Sequence, residues 1–150
     1  MAGMYKHILI ATDGSERSQR AISDGVALAA ALGARVTVLT VAVPLHSTDP
    51  RPVTDIPGSE EFVREYLHGQ ANEILAAADN IAAEQGMICD TVQVNHDQPY
   101  KAIIETAEAK GCDLIVMASH GRRGVAALIL GSETTKVLTH SHINVLVHRS

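Results

Sequence analysis

The chain has 150 residues and a formal net charge of −5, with 46% hydrophobic and 19% charged residues. This suits one globular domain over 1–150 with a single core, and it excludes a disordered or collagen-like chain. Without a basic surplus no nucleic-acid partner is expected, and no apolar run reaches the roughly 20 residues that span a bilayer, so no membrane partner is expected either.

The first apolar run, HILIAT (7–12), is almost continuous, as in a central parallel strand buried on both faces. SERSQRAISDGVALAAALG (15–33) predicts a helix capped by Ser15 and closed by Gly33, with Ala21, Ile22, Val26, Leu28, Ala29 and Leu32 on its apolar face. RVTVLTVAV (35–43) is a second strand. The stretch 44–61 holds four of the five prolines and reads as a surface loop and candidate lid. A long helix follows over 60–86. DTVQVNH (90–96) alternates Val92 and Val94 with Gln93 and Asn95, which places that strand nearer an edge. A helix from Pro99 to Gly111 leads into DLIVMAS (113–119), a second continuous apolar strand. SETTKVLTHS is a short helix with Ser132 at its cap, and NVLVHR (144–149) is the last strand.

Strict alternation of strands and helices predicts a doubly wound α/β domain, Rossmann-like, with a five-stranded parallel sheet and helices on both faces. Cys89 and Cys112 form no CxxC pair and are expected to be reduced and structural. With one Phe, three Tyr and no Trp, the core is aliphatic. The N-terminus carries no charged leader followed by a long apolar segment, so the cytoplasm is the expected location.

In such sheets ligands bind beyond the carboxyl ends of the strands, where strand order reverses. Asp13 stands at the tip of the first strand, and ASHGRRGVAALILGSETT (118–135) follows the fourth. If those strands are neighbours, Asp13 faces Gly121 across one crevice. A carboxylate there can accept from ribose hydroxyls, while the opposing loop and helix N-terminus offer amides to phosphates. The alternative, that Asp13 is only a turn residue, stays open on these residues. GxxxxGK followed by Ser or Thr is absent, and the first strand lacks GxGxxG, which disfavours a nicotinamide dinucleotide. A phosphoryl receiver domain would need more acids than Asp13 alone.

Asp13 together with ASHGRRGVAALILGS resembles the ATP-binding universal stress proteins. Their pattern is Gly, two residues, Gly, nine residues, Gly, then Ser or Thr; here it reads Ala118, Ser119-His120, Gly121, Arg122 to Leu130, Gly131, Ser132. The segments KHILIATDGSERSQRAI and DLIVMASHGRRG are also typical, so the resemblance covers essentially the whole chain. It implies that Asp13 binds ribose and that Ala11 and Val41 line the adenine site, Val41 through its main chain. It further implies that Ala118, Ser119, His120, Gly121, Arg122, Arg123 and Gly124 wrap ribose and phosphates. Gly131, Ser132, Glu133 and Thr134 would face the phosphates with amides and hydroxyls, and the ligand would be ATP with Mg2+ or Mn2+. Three positions depart from the pattern. Ala118 replaces the first glycine and requires negative φ. Glu133 brings a carboxylate that repels phosphate unless it points away. Asn144 replaces a proline and is expected to affect only the turn.

His120 reads either as a ribose or phosphate contact or as a polar loop residue. Arg122 and Arg123 either steer phosphates or are simply exposed. His140 and His142 lack a third metal ligand and read as a solvated helix end. Ser119 and His120, adjacent at a strand tip, are expected to diverge, and no second acid stands beside Asp13. No catalytic constellation emerges. Three readings follow: a nucleotide-binding stress or signalling protein, a slow ATP-hydrolysing or phosphate-transferring enzyme, and a module of this fold that has lost its nucleotide. The final strand, Ile143 to His148, is expected at a sheet edge where it pairs two copies into a homodimer.

Overall fold

The computed structural model describes residues 4–43, 59–121 and 130–149. Its elements are β1 (His7–Ala11), α1 (Glu16–Leu32), β2 (Arg35–Ala42), α2 (Ser59–Glu84), β3 (Asp90–Asn95), α3 (Pro99–Ala109), β4 (Leu114–Ala118), α4 (Ser132–His140) and β5 (Asn144–His148). The strands form one sheet in the order β3-β2-β1-β4-β5, with every neighbouring pair parallel. The predicted doubly wound α/β class is therefore the observed one.

Side-chain alternation along β1 divides the core. Ile8 and Ile10 face α1 and α2, packing with Ile22, Val26, Leu75 and Ala78. Leu9 faces the other way, toward Ile103 of α3 and Val137 of α4. Helix α1 starts as expected: the Ser15 side chain accepts from the Ser18 amide, and Gly33 closes the helix at φ +68°. Helix α2 begins at Ser59, one residue before the expected start at 60, so 59–61 are helical; the rest of the expected loop, 44–58, lies outside the described residues. At α4 the cap is Gly131 and Ser132 is the first helical residue, so the helix starts one position earlier than expected. Among the described residues, no helix is long and apolar enough to cross a membrane.

Candidate functional site

From β1 the chain winds outward through β2 to β3, then returns to lay β4 against the other side of β1. The reversal therefore lies between β1 and β4, and their carboxyl ends flank one crevice. Ala11 is the half-buried last residue of β1. The Thr12 amide still reaches the Leu39 carbonyl (2.9 Å) before the chain turns away. Thr12 Oγ1 lies 2.9 Å from Ser18 Oγ and accepts from the Gly14 amide at 3.2 Å, which pins the turn to α1. Within this turn Asp13 Oδ1 accepts from the Ser15 amide at 2.9 Å.

The other carboxylate oxygen of Asp13 lies against Gly121. A Cβ built on Gly121 would stand 2.6 Å from Asp13 Oδ2, closer than real Cβ contacts allow. With a side chain at this position the Asp13 carboxylate would have to move away. The sheet thus brings Asp13 and Gly121 face to face.

On the β4 side, Ala118 is buried, and among the described residues no non-glycine residue has positive φ, so its methyl meets the condition set by the sequence. The Ser119 amide donates to the His148 carbonyl (2.9 Å), which anchors the strand tip to β5. Ser119 Oγ lies 3.2 Å from His120 Nδ1. That corrects the expectation that the two side chains diverge: the chain leaves the pleat after Ala118, so strict alternation no longer separates them.

The start of α4 is stitched to the same tip. The Gly131 amide donates to the Ser119 carbonyl at 2.7 Å, and Thr134 Oγ1 donates to the Ala118 carbonyl at 2.9 Å. A Cβ on Gly131 would stand 3.2 Å from the Ser119 oxygen and 3.3 Å from His120 Cα. A side chain at this cap would have to push back the neighbouring strand tip, a crowding that glycine avoids. The helical hydrogen bonds begin with the Thr135 amide to the Gly131 carbonyl, so the amides of Ser132, Glu133 and Thr134 precede the ladder and form the positive end of the helix.

Glu133 does not turn its carboxylate back over those amides. Its Oε2 accepts from the Tyr100 amide at 3.0 Å, and its Oε1 lies 3.4 Å from Lys136 Nζ. Tyr100 and Lys136 are neighbours of the site that the sequence did not single out. Pro99 at the start of α3 and a Gln98 cap that makes no side-chain bond left the Tyr100 amide in need of an acceptor, which was the readable signal.

Val41 lies two residues beyond Leu39, whose carbonyl faces β1, and the β1–β2 pairing ends at Ala11 and Leu39. Alternation aims the Val41 amide and carbonyl to that same side, past the last rung of the ladder. Arg122, Arg123 and Gly124 lie outside the described residues. The His140 ring lies tilted by 34° against Tyr100 at 5.2 Å between ring centroids, and His142 is exposed. Among the described residues, no three His, Cys, Asp or Glu side chains converge as a metal site.

Both cysteines are free thiols. Burial, reinforced by a hydrogen bond to Asp79, pushes the Cys89 thiol up to about 12, and burial pushes Cys112 up to about 11. Asn144 does more than shape a turn, because its Nδ2 donates to the Tyr5 hydroxyl at 3.1 Å.

The profile of the universal stress protein family matches residues 4–149. A universal stress protein of Methanocaldococcus jannaschii is 34% identical over 146 residues, covering 96% of this chain and 82% of its own length. The solved structure of universal stress protein UspA from Lactobacillus plantarum superposes with a TM-score of 0.82 at 26% identity, covering 97% of this chain and 98% of that one. A universal stress protein solved in complex with cAMP superposes with a TM-score of 0.66, also at 26% identity, covering 95% of each chain. Sequence pattern, sheet order and these likenesses agree: the chain belongs to the universal stress protein family.

Proposed function

We propose that this universal stress protein binds an adenine nucleotide, ATP, in the crevice between the carboxyl ends of β1 and β4. Its output in stress response or signalling then runs through nucleotide-dependent conformation or partner binding. The observation that carries the reading is the pairing of Asp13 with Gly121 beside the Gly131 cap of α4. A carboxylate suited to ribose hydroxyls stands within one crevice of a helix N-terminus suited to phosphates, and a Cβ at Gly121 would press on that carboxylate.

In this reading Asp13 holds the ribose, while Ala11 and the main chain of Val41 line the adenine. Ala118, Ser119, His120 and Gly121 border the sugar and phosphates, with Arg122, Arg123 and Gly124 continuing the wrap. Gly131, Ser132 and Thr134 present amides, and a divalent cation, Mg2+ or Mn2+, accompanies the triphosphate. That a universal stress protein of 26% identity was solved in complex with cAMP supports an adenine nucleotide as the ligand. We also propose a homodimer paired through β5.

Asp13→Ala tests the assignment. Removing a charged acceptor from a sugar costs about 1.5–3 kcal/mol, so ATP and AMP should weaken alike, because both carry the ribose. Calorimetric titration of each nucleotide checks this. Loss of ATP binding alone would move Asp13 to the phosphates.

A further inference from the structure

Glu133 stands in the first turn of α4, where its own helix amides would stabilise a carboxylate. It instead reaches to another helix, accepting the Tyr100 amide of α3 at 3.0 Å. Two further residues on the same face of α4 hold the tyrosine ring. Lys136 Nζ lies 5.6 Å from its centroid, within cation–π range, and the His140 ring lies tilted against it at 5.2 Å. Glu133, Lys136 and His140 follow one another at helical spacing, so α4 grips the start of α3 with one stripe.

The start of α3 is itself tied to the far end of the crevice. The Lys101 and Ala102 amides donate to the Gln98 carbonyl (3.1 and 3.2 Å), and the Gln98 amide donates to His96 Nδ1 at 2.9 Å. The His96 amide donates to the Ala42 carbonyl at 3.0 Å, next to Val41. Hydrogen bonds thus tie the tip of β2 to the first turn of α3, and the Tyr100 amide in that turn ties it to the first turn of α4.

We infer that Glu133 is a positioning residue of the nucleotide site: by capping α3 it fixes the first turn of α4 over the phosphates and draws its own negative charge away from them. This role rests on the nucleotide reading given above. It makes Glu133 an aid to triphosphate binding, although an acid next to a phosphate site would ordinarily oppose it. Glutamine at this position keeps an acceptor for the Tyr100 amide, whereas alanine removes it.

The test is calorimetric titration of ATP and adenosine into the full chain and its Glu133→Ala and Glu133→Gln variants, with far-UV circular dichroism to establish folding. Adenosine carries base and sugar without phosphate, so it reports on the rest of the crevice. Glu133→Ala should weaken ATP about fivefold, a fraction of the value of a charged hydrogen bond, and leave adenosine within about twofold. Glu133→Gln should restore most of the ATP affinity. Tighter ATP binding by both variants would mean that the carboxylate faces the phosphates and would overturn the role. An equal fall for ATP and adenosine would also overturn it, because Glu133 would then act through the fold at large. If the unmodified protein binds neither ligand, the nucleotide reading falls first and this role with it, a result that the titration of the unmodified protein alone reveals.

Discussion

Asp13 sends its two carboxylate oxygens in different directions: one closes its own turn on the Ser15 amide, and the other lies against Gly121. Of the two alternatives open in the sequence, the turn role is the one this geometry shows. At the opposite end of β1, His7 is buried with Nε2 2.7 Å from Thr37 Oγ1. Burial holds its pKa below the ordinary value of 6.5, Arg35 adds to the depression, and a backbone hydrogen bond with Lys110 and the charges of Asp90 and Asp113 oppose it. The folded chain thus resists a proton that the unfolded chain accepts. The stability due to neutral His7 is complete above pH 6.5 and is lost as pH falls toward the folded pKa. Urea midpoints measured between pH 7.5 and 5.5 should fall less steeply in His7→Gln than in the unmodified protein. Parallel slopes would remove His7 from the pH dependence.

Helix α1 crosses the sheet closely because Gly25 faces Ile10. A Cβ at Gly25 would stand 2.7 Å from Ile10 Cδ1 and 3.5 Å from Val116 Cγ1, and Ile10 is fully buried. Replacing a helical glycine ordinarily gains up to about 1 kcal/mol from propensity. Here Gly25→Val should destabilise by about 1–3 kcal/mol through overpacking, as read by urea denaturation. An unchanged midpoint would show that the core yields.

Elements of this kind were largely legible in the sequence, because strand period, helical period and cap residues are local. The strand readings ran one residue long at Thr12, Val43, His96, Asp113, Ser119 and Arg149, and the amides of Thr12, His96, Asp113 and Ser119 still bond to the neighbouring strand (2.9–3.0 Å). Ser132 reads as the cap of α4 by propensity, but the cap is Gly131, where a Cβ would crowd the Ser119 carbonyl. The meeting of Asp13 and Gly121 followed from strand order. The direction of Glu133 did not, since its partner Tyr100 belongs to another helix, and neither did the closeness of Ser119 and His120, which depends on how the chain leaves the sheet.

At the scale of the molecule, β5 is a sheet edge, as expected. The His148 carbonyl faces β4, so alternation turns the backbone groups of Ile143, Val145 and Val147 outward. Ile143 and Val145 pack against the core below α3 and α4, whereas Leu146 is 40% exposed. In a homodimer, antiparallel pairing across a twofold axis would engage those outward groups. Val145→Pro removes one outward donor while leaving the β4-facing groups in place. Light scattering should give a dimer mass for the unmodified protein and a smaller mass for this variant, with unchanged far-UV circular dichroism. A monomer mass at micromolar concentration would refute the pairing.

The central claim is that the crevice between β1 and β4 holds ATP. Its most direct test is calorimetric titration of ATP into the unmodified protein and into Gly121→Val. Valine would occupy the space in which Asp13 Oδ2 already stands 2.6 Å from the Cβ position, closing the crevice. The unmodified protein should bind ATP, and the variant should bind at least about tenfold more weakly, a loss of about 1.4 kcal/mol. Equal affinity in the two proteins, or no binding by either, would contradict the assignment.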